Sequence, residues 1–109
     1  MAHQLSSEVK ERVTAYVNIL RAEIPISSVY IFGSQAKNTA HPDSDIDVAI
    51  ISPSFKGRSI EDGAWLQLKL WEAPYKNMDV VGYSPEYFDN ENSPLISEIK
   101  KNGIALVVA

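Results

Sequence analysis

The chain has 109 residues, 45% hydrophobic and 22% charged, a composition typical of a globular protein that folds as one domain over residues 1–109. It contains no cysteine, which excludes disulfides and thiolate metal sites. From its N-terminal residues we expect no signal peptide, and no apolar run is long enough to span a bilayer, so we expect a cytoplasmic protein without a membrane partner. The net charge of −4 and the absence of a basic stripe argue against nucleic acid as the main partner.

The first half of the sequence predicts one helix and two strands. Apolar residues from Leu5 to Leu20 recur at helical spacing, with Ser6 as the predicted N-cap, and Pro25 ends this helix. A strand is predicted over 26–32, because the segment is rich in β-branched and aromatic residues. A polar connection with one helical turn at its start leads to a second strand over 45–51.

The second half predicts a helix, a strand, two shorter helices and a last strand. In the first of these helices, Ile60, Ala64, Leu68 and Trp71 lie on one face, and the neighbouring Trp65, Leu66 and Leu70 extend the apolar surface. Trp65 and Trp71 cannot share a side, so one is predicted in the core and the other exposed as a partner contact. Strands are predicted over 78–83 and 104–108, and helices begin at Ser84-Pro85 and Ser93-Pro94. This order predicts an α+β fold, with a single mixed β-sheet flanked by helices.

Two aspartates at the start of the second strand are the strongest chemical signal. Asp45 and Asp47 point to the same side of a strand, about 6.6 Å apart along it. Their charges repel by roughly 2–3 kcal/mol at an effective dielectric constant near 20, so a cation is expected between them. Mg²⁺ binds one or two carboxylates together with substrate phosphates, and two such ions can activate an attacking oxygen and stabilise a leaving phosphate. The simpler reading, two solvated acids at an exposed strand start, stays open from this feature alone.

Two further features fit the same site. Gly33-Ser34 ends the first strand, where glycine allows close approach and positive φ, and a helical turn starting at Ser34 would favour a phosphate. Asp79 lies inside an otherwise apolar strand, where a buried acid is costly unless it is paired or binds a cation. Asp79 is a candidate general base or third metal ligand, or else an edge-strand acid that faces water.

Taken together, Gly33-Ser34, ten intervening residues, Asp45-Ile46-Asp47 and the later Asp79 resemble the DNA polymerase β-like nucleotidyltransferase superfamily, and the compact chain is similar to its minimal nucleotidyltransferase (MNT) branch. The resemblance implies that Gly33 and Ser34 hold the triphosphate of ATP, that Asp45 and Asp47 bind two Mg²⁺, and that Asp79 completes the catalytic triad. It departs at Gln35 and Asn38, where relatives often have Arg and Gly, and Lys37 is a candidate replacement for the phosphate contact.

The resemblance also implies a function. Many MNT proteins are antitoxins of HEPN-domain toxins and transfer AMP from ATP to a tyrosine of the toxin, with pyrophosphate leaving. One alternative is an antitoxin or adaptor that acts by binding its partner, with weak or no transfer. Another is transfer of a nucleotide to RNA ends or to a small hydroxylated substrate, which the acidic charge and small size disfavour.

Overall fold

The computed structural model of the protein describes residues 5–33, 45–56, 60–91 and 93–106. Within these ranges, four strands form one sheet that has helices on both faces, and none of the helices is long and apolar enough to cross a membrane. In chain order the elements are α1 (Ser7–Arg21), β1 (Ser28–Phe32), β2 (Ile46–Ile51), α2 (Ile60–Leu70), β3 (Met78–Tyr83), α3 (Pro85–Asn90), α4 (Pro94–Asn102) and β4 (Ile104–Ala105).

The sheet is mixed, which confirms the predicted α+β class. Its strand order is β3-β2-β1-β4, with β1 antiparallel to both of its neighbours and β2 parallel to β3. A parallel pair needs a crossover connection, and α2 lies in that connection. The second strand is therefore internal, and the third, which carries Asp79, is at an edge of the sheet.

Helix α1 begins and ends where the sequence predicts. The Ser6 hydroxyl accepts a hydrogen bond from the Val9 backbone N–H at 3.2 Å, and the helix ends four residues before Pro25. On its buried side, the Tyr16 hydroxyl donates to the Leu66 carbonyl oxygen of α2 at 2.8 Å. This bond fixes α1 against α2 on one face of the sheet.

The two faces of the sheet carry separate apolar clusters. Helices α1 and α2 pack on the face that includes Ile46 and Val48, whereas α3 and α4 pack on the face that includes Ala49 and Ile51. Because side chains alternate along a strand, Asp47 lies on the α3/α4 face, beyond the end of its apolar cluster. The helices of this face thus leave the Asp47 end of β2 less covered than the opposite end.

Helix α2 is apolar on two sides, and only one of them packs against the sheet. Leu66 and Leu70, which the sequence reading treats as an extension of the apolar face, are buried. Ile60 and Leu68, on the other side of α2, and Trp71, in the turn that follows the helix, face solvent with exposed fractions of 94%, 67% and 74%. Helical periodicity identified both sides of α2 but did not show which of them packs.

The last elements agree with the predicted capping residues but not with the predicted length of β4. Ser84 and Ser93 each accept a backbone N–H bond from their helices, α3 and α4. The predicted strand over 104–108 is observed as Ile104–Ala105, and residues 107–109 lie outside the described residues. Its pairing with Ile31 and Tyr30 closes the sheet on the side opposite β3.

Candidate active site

Gly33 ends β1 in a conformation that glycine tolerates better than other residues. Its φ is 69°, in the left-handed region predicted from the sequence. A Cβ atom at this position would overlap the carboxylate oxygen Oδ2 of Asp47. Glycine is therefore required here both by the turn and by the close approach of an acid on the neighbouring strand.

Asp47 stands between two strands at the centre of the site. In the sheet register its partners are Phe32 on β1 and Asp79 on β3. Register partners on adjacent strands are about 5 Å apart and direct their side chains to the same face. The carboxylates of Asp47 and Asp79 consequently project from the same face of the sheet, as predicted if the two strands were neighbours.

Asp79 is exposed, which changes part of the argument made from sequence. A buried acid is costly, and this cost is one reason to expect a cation beside Asp79. That reason is wrong, because Asp79 is exposed on the edge strand β3. The predicted position of Asp79 next to β2 is confirmed by its pairing with Asp47. An exposed carboxylate at the edge is accessible to a substrate that approaches from outside the domain.

Asp45 completes a group of three acids whose charges act on one another. It is exposed and lies just before β2, two residues from the half-buried Asp47. Burial raises the pKa of Asp47, and the negative charges of Asp79 and Asp45 raise it further. Within the described part of the chain, no Lys or Arg forms an ion pair with any of the three.

The donor atoms suit a hard cation that arrives together with a ligand. Among the described residues, no group of three or more acidic or histidine side chains is arranged to hold a metal ion by itself. Mg²⁺ does not require such a cage, because it is typically bound by one or two carboxylates and completes its shell with water and substrate phosphates. Asp45 and the half-buried Asp47, which form no ion pair with a described Lys or Arg, therefore fit Mg²⁺ bound with a nucleotide.

Ser34 and Lys37, the other residues predicted to bind nucleotide, lie outside the described residues, as do Gln35 and Asn38. The structure brings together Gly33 and the three acids. Gly33 is the last described residue before this segment, and Asp45 is the first after it.

The contact between Gly33 and Asp47 was not predicted from the sequence. Gly33 was assigned to a close approach by a ligand, whereas the nearest group in the structure is the Asp47 carboxylate. A signal was available: if β1 and β2 pair so that Phe32 opposes Asp47, the residue after Phe32 must pass that carboxylate. The register needed for this inference depends on the connection between the strands, which the sequence did not define.

Sequence comparison gives the family of the domain. A model of the nucleotidyltransferase domain matches residues 13–106, most of the chain. The protein belongs to this nucleotidyltransferase family. A comparison with curated protein sequences gave no significant match.

Solved structures with the same fold include three informative examples. A toxin–antitoxin structure with AMP-PNP is 24% identical, with a TM-score of 0.63 over 92% of this chain and 73% of that one. The structure of a tri-AMPylated Shewanella oneidensis HEPN toxin in complex with an MNT antitoxin is 21% identical, with a TM-score of 0.59 over 95% of this chain and 74% of that one. A Sulfolobus solfataricus protein assigned to the nucleotidyltransferases is 19% identical, with a TM-score of 0.65 over 90% of this chain and 78% of that one. At these identities the likeness shows a shared fold.

Proposed function

We propose that the protein is a Mg²⁺-dependent nucleotidyltransferase that transfers AMP from ATP to a tyrosine hydroxyl of a HEPN-domain toxin, and so acts as its antitoxin. Membership of the nucleotidyltransferase family supports the class of reaction. The choice of ATP and of a HEPN acceptor is supported by the similar folds of a toxin–antitoxin structure with AMP-PNP and of an MNT antitoxin in complex with an AMPylated HEPN toxin.

One observation carries the proposal: Asp47 lies in register with Asp79 and against Gly33, with the charge of Asp45 close enough to raise its pKa. Three acids without basic partners in the described residues are unfavourable unless a cation joins them. A purely structural role would not explain this arrangement, because the charges of Asp79 and Asp45 disfavour the ionised form of Asp47. The geometry is suited to binding a metal–nucleotide complex.

The reaction needs positioning and charge neutralisation rather than a covalent enzyme intermediate. The acceptor hydroxyl oxygen forms a bond to the α-phosphorus of ATP, and the bond from that phosphorus to the oxygen bridging the α- and β-phosphates breaks. The products are the AMP ester of the acceptor and pyrophosphate. Bound Mg²⁺ would neutralise the phosphates and favour departure of pyrophosphate.

The acids have distinct positions and hence distinct proposed roles. Asp47, half-buried and central, and Asp45 beside it would bind the two Mg²⁺. Asp79 lies at the edge, where an acceptor can reach it, and would accept the hydroxyl proton or share a metal ligand position. Since Asp79 is exposed, a proton that it accepted could pass directly to water.

The triphosphate would be held where β1 ends. Gly33 lies against the Asp47 carboxylate, so a triphosphate bound at the end of β1 would lie next to the acids, and Ser34 would add a backbone N–H and a hydroxyl donor. Lys37 would contribute a positive charge toward the phosphates. These assignments for Ser34 and Lys37 remain predictions from the sequence.

A second candidate function is an antitoxin that acts by contact, with weak or no transfer. The observation that favours it is the apolar side of α2, where Leu68 and Trp71 face solvent. Binding through such a surface would neutralise a partner without chemistry. Contact and transfer predict different results when the acids are changed.

Labelled ATP separates the two functions. The purified protein is incubated with Mg²⁺, ATP labelled at the α-phosphate and a purified HEPN-domain toxin, and label on that toxin is measured. Asp45→Asn and Asp47→Asn are compared with Asp89→Asn, a matched change of an exposed acid on α3. We expect label with the wild type and with Asp89→Asn, and at least a 100-fold loss with either site variant. If both site variants neutralised the toxin as well as the wild type while no label appeared, the contact function would be the correct one.

A further inference from the structure

Strand β3 presents an open backbone edge that carries one of the acids. It is the outermost strand on one side of the sheet, and within the described part of the chain no strand pairs with its outer side. It is six residues long, whereas β4 at the opposite edge has two. A long edge strand pairs readily with another extended chain unless something blocks it. An extended segment can therefore add to this sheet at β3.

The pairing of β3 with β2 determines which of its backbone groups face outward. Hydrogen bonds from β2 and the residue after it end on the carbonyl oxygens of Asn77 and Tyr83, at 3.0 and 3.1 Å. In a parallel ladder with this register, every second residue between those two also bonds to β2. The N–H and C=O groups of Val80 and Gly82 consequently point away from the sheet. Among the described residues, neither has a backbone partner on that side.

The same edge lies in line with the acids. Phe32, Asp47 and Asp79 occupy one row across β1, β2 and β3, and both carboxylates project from the same face of the sheet. A strand added to β3 would extend this row by one residue, whose Cβ would lie about 4.5–5.5 Å from that of Asp79. The side chain of that residue would project beside the acids, on their own face of the sheet.

We propose that the edge of β3 binds an extended segment of the protein that carries the acceptor hydroxyl, with the acceptor tyrosine as the register partner of Asp79. The inference rests on the proposed function and specifies how the acceptor reaches the acids. The tyrosine oxygen would bond to the α-phosphorus of ATP as pyrophosphate leaves, and its proton would pass to Asp79. Backbone hydrogen bonds to Val80 and Gly82 would hold the segment, as in other cases of strand addition.

The charge of this edge favours such a partner over a second copy of the chain. Asp45 and Asp79 are exposed, and no described Lys or Arg forms an ion pair with either. A segment with Lys or Arg close to its tyrosine would complement these charges. A second copy would bring the same acids and a further net charge of −4 to the edge, so that like charges would oppose the pairing.

Amide hydrogen exchange of the wild-type protein tests the proposal without any substitution. In the free protein, the amides of Val80 and Gly82 should exchange faster than those of Asp79 and Val81, which bond to β2. The probe is a purified HEPN-domain toxin at saturating concentration, which should slow the exchange of Val80 and Gly82 by about 10-fold or more. The amide of Ala105, in the opposite edge strand, is the control and should not change.

A pair of variants tests the same backbone contact through binding. Val80→Pro removes one outward N–H and leaves the bonds of its neighbours to β2 in place. Val80→Ala is the matched control, because both variants lose the buried valine side chain but alanine keeps the N–H. We expect Val80→Pro to bind the toxin about 10-fold or more weakly than Val80→Ala, with equal Mg²⁺-dependent ATP binding. Urea unfolding verifies that both variants fold, and if Val80→Pro does not, the exchange measurement decides.

The possible failures separate this proposal from the proposed function. Unchanged exchange at Val80 and Gly82 in the presence of the toxin would overturn the edge assignment, and AMPylation of the toxin in the same sample would leave the proposed function intact. Exchange that slows at both amides as the free protein is concentrated would assign the edge to a second copy and overturn the proposal as well. Slower exchange with the toxin but no AMPylation would support strand addition and contradict transfer.

Discussion

Replacing Gly33 with alanine perturbs the backbone and the site by a single methyl group. At φ 69° an L residue is strained, and the new Cβ would occupy the position of the Asp47 carboxylate oxygen Oδ2. The strand pairing of Phe32 with Asp47 restricts how far β1 can move away. The Asp47 side chain must therefore rotate or shift.

The two effects have different magnitudes. The left-handed conformation costs an L residue roughly 1–2 kcal/mol. With an unfolding entropy near 2.1 cal/mol/K per residue, this lowers the melting temperature of a 109-residue domain by roughly 4–9 °C. Changing a group that orients a metal ligand typically costs 10- to 100-fold in metal affinity or activity, and we expect that loss in Mg²⁺-dependent ATP binding.

Urea unfolding and calorimetric titration with ATP and Mg²⁺ measure these quantities. Gly63→Ala is the matched control, because a Cβ at Gly63 in α2 meets no atom within 4 Å. Alanine in a helix interior is favoured over glycine by about 0.5–1 kcal/mol, so this variant should be more stable than the wild type. Its ATP binding should be unchanged.

The account of Gly33 would be refuted if Gly33→Ala were as stable as Gly63→Ala and bound ATP with wild-type affinity. Lower stability with normal ATP binding would refute only the link to Asp47. That result would mean that the carboxylate is not held in place by the Gly33 turn for nucleotide binding.

Three further predictions concern the acids and the core. Burial and the neighbouring acids raise the pKa of Asp47, so the native state holds this proton more tightly than the unfolded state, and the metal-free protein should lose stability as the pH rises from about 4 through the raised pKa. In urea unfolding without divalent ions, Asp47→Asn should be more stable than the wild type at pH 7 but not at pH 4. Equal stability of the two proteins at pH 7 would contradict this prediction. Mg²⁺ and AMP-PNP at about 100 times Kd should stabilise the wild type by about 2.7 kcal/mol, or roughly 10 °C in a thermal melt. The variant Asp45→Asn/Asp47→Asn should show no such shift. An equal shift in the wild type and the variant would mean that the nucleotide binds elsewhere. Tyr16→Phe removes the buried bond to the Leu66 carbonyl and should cost about 1–2 kcal/mol in urea unfolding with no change in ATP binding, whereas an unchanged midpoint would show that this bond contributes nothing.

The sequence predicted most of the helices and strands because these depend on local rules. Ser6, Ser84 and Ser93 each cap a helix, as their positions before helical patterns indicated. The spacing of Asp45 and Asp47 predicted two interacting acids at the start of the second strand, although the strand begins at Ile46 and Asp45 lies just before it. Gly33 takes up the positive φ expected after β1. Periodicity and backbone preference determine such features within a few residues.

Features that depend on neighbouring strands and helices could not be predicted in the same way. The exposure of Asp79 depends on the edge position of β3 and on how little of this end of the sheet the helices cover, because Met78, Val80 and Tyr83 of the same strand are buried. Helix α2 has two apolar sides, one with Leu66 and one with Leu68. The Leu68 side is exposed because the Leu66 side packs on the sheet. Tertiary packing determines both features, because they depend on how much apolar area the whole fold buries rather than on the pattern within one helix or strand.

The most direct test of the central claim is the mass of the partner. A purified HEPN-domain toxin is incubated with this protein, ATP and Mg²⁺, and its intact mass and modified residue are determined by mass spectrometry. The account predicts a mass increase by a whole number of AMP units, on a tyrosine, that is absent with Asp45→Asn/Asp47→Asn. A partner that is bound and neutralised with its mass unchanged would contradict it.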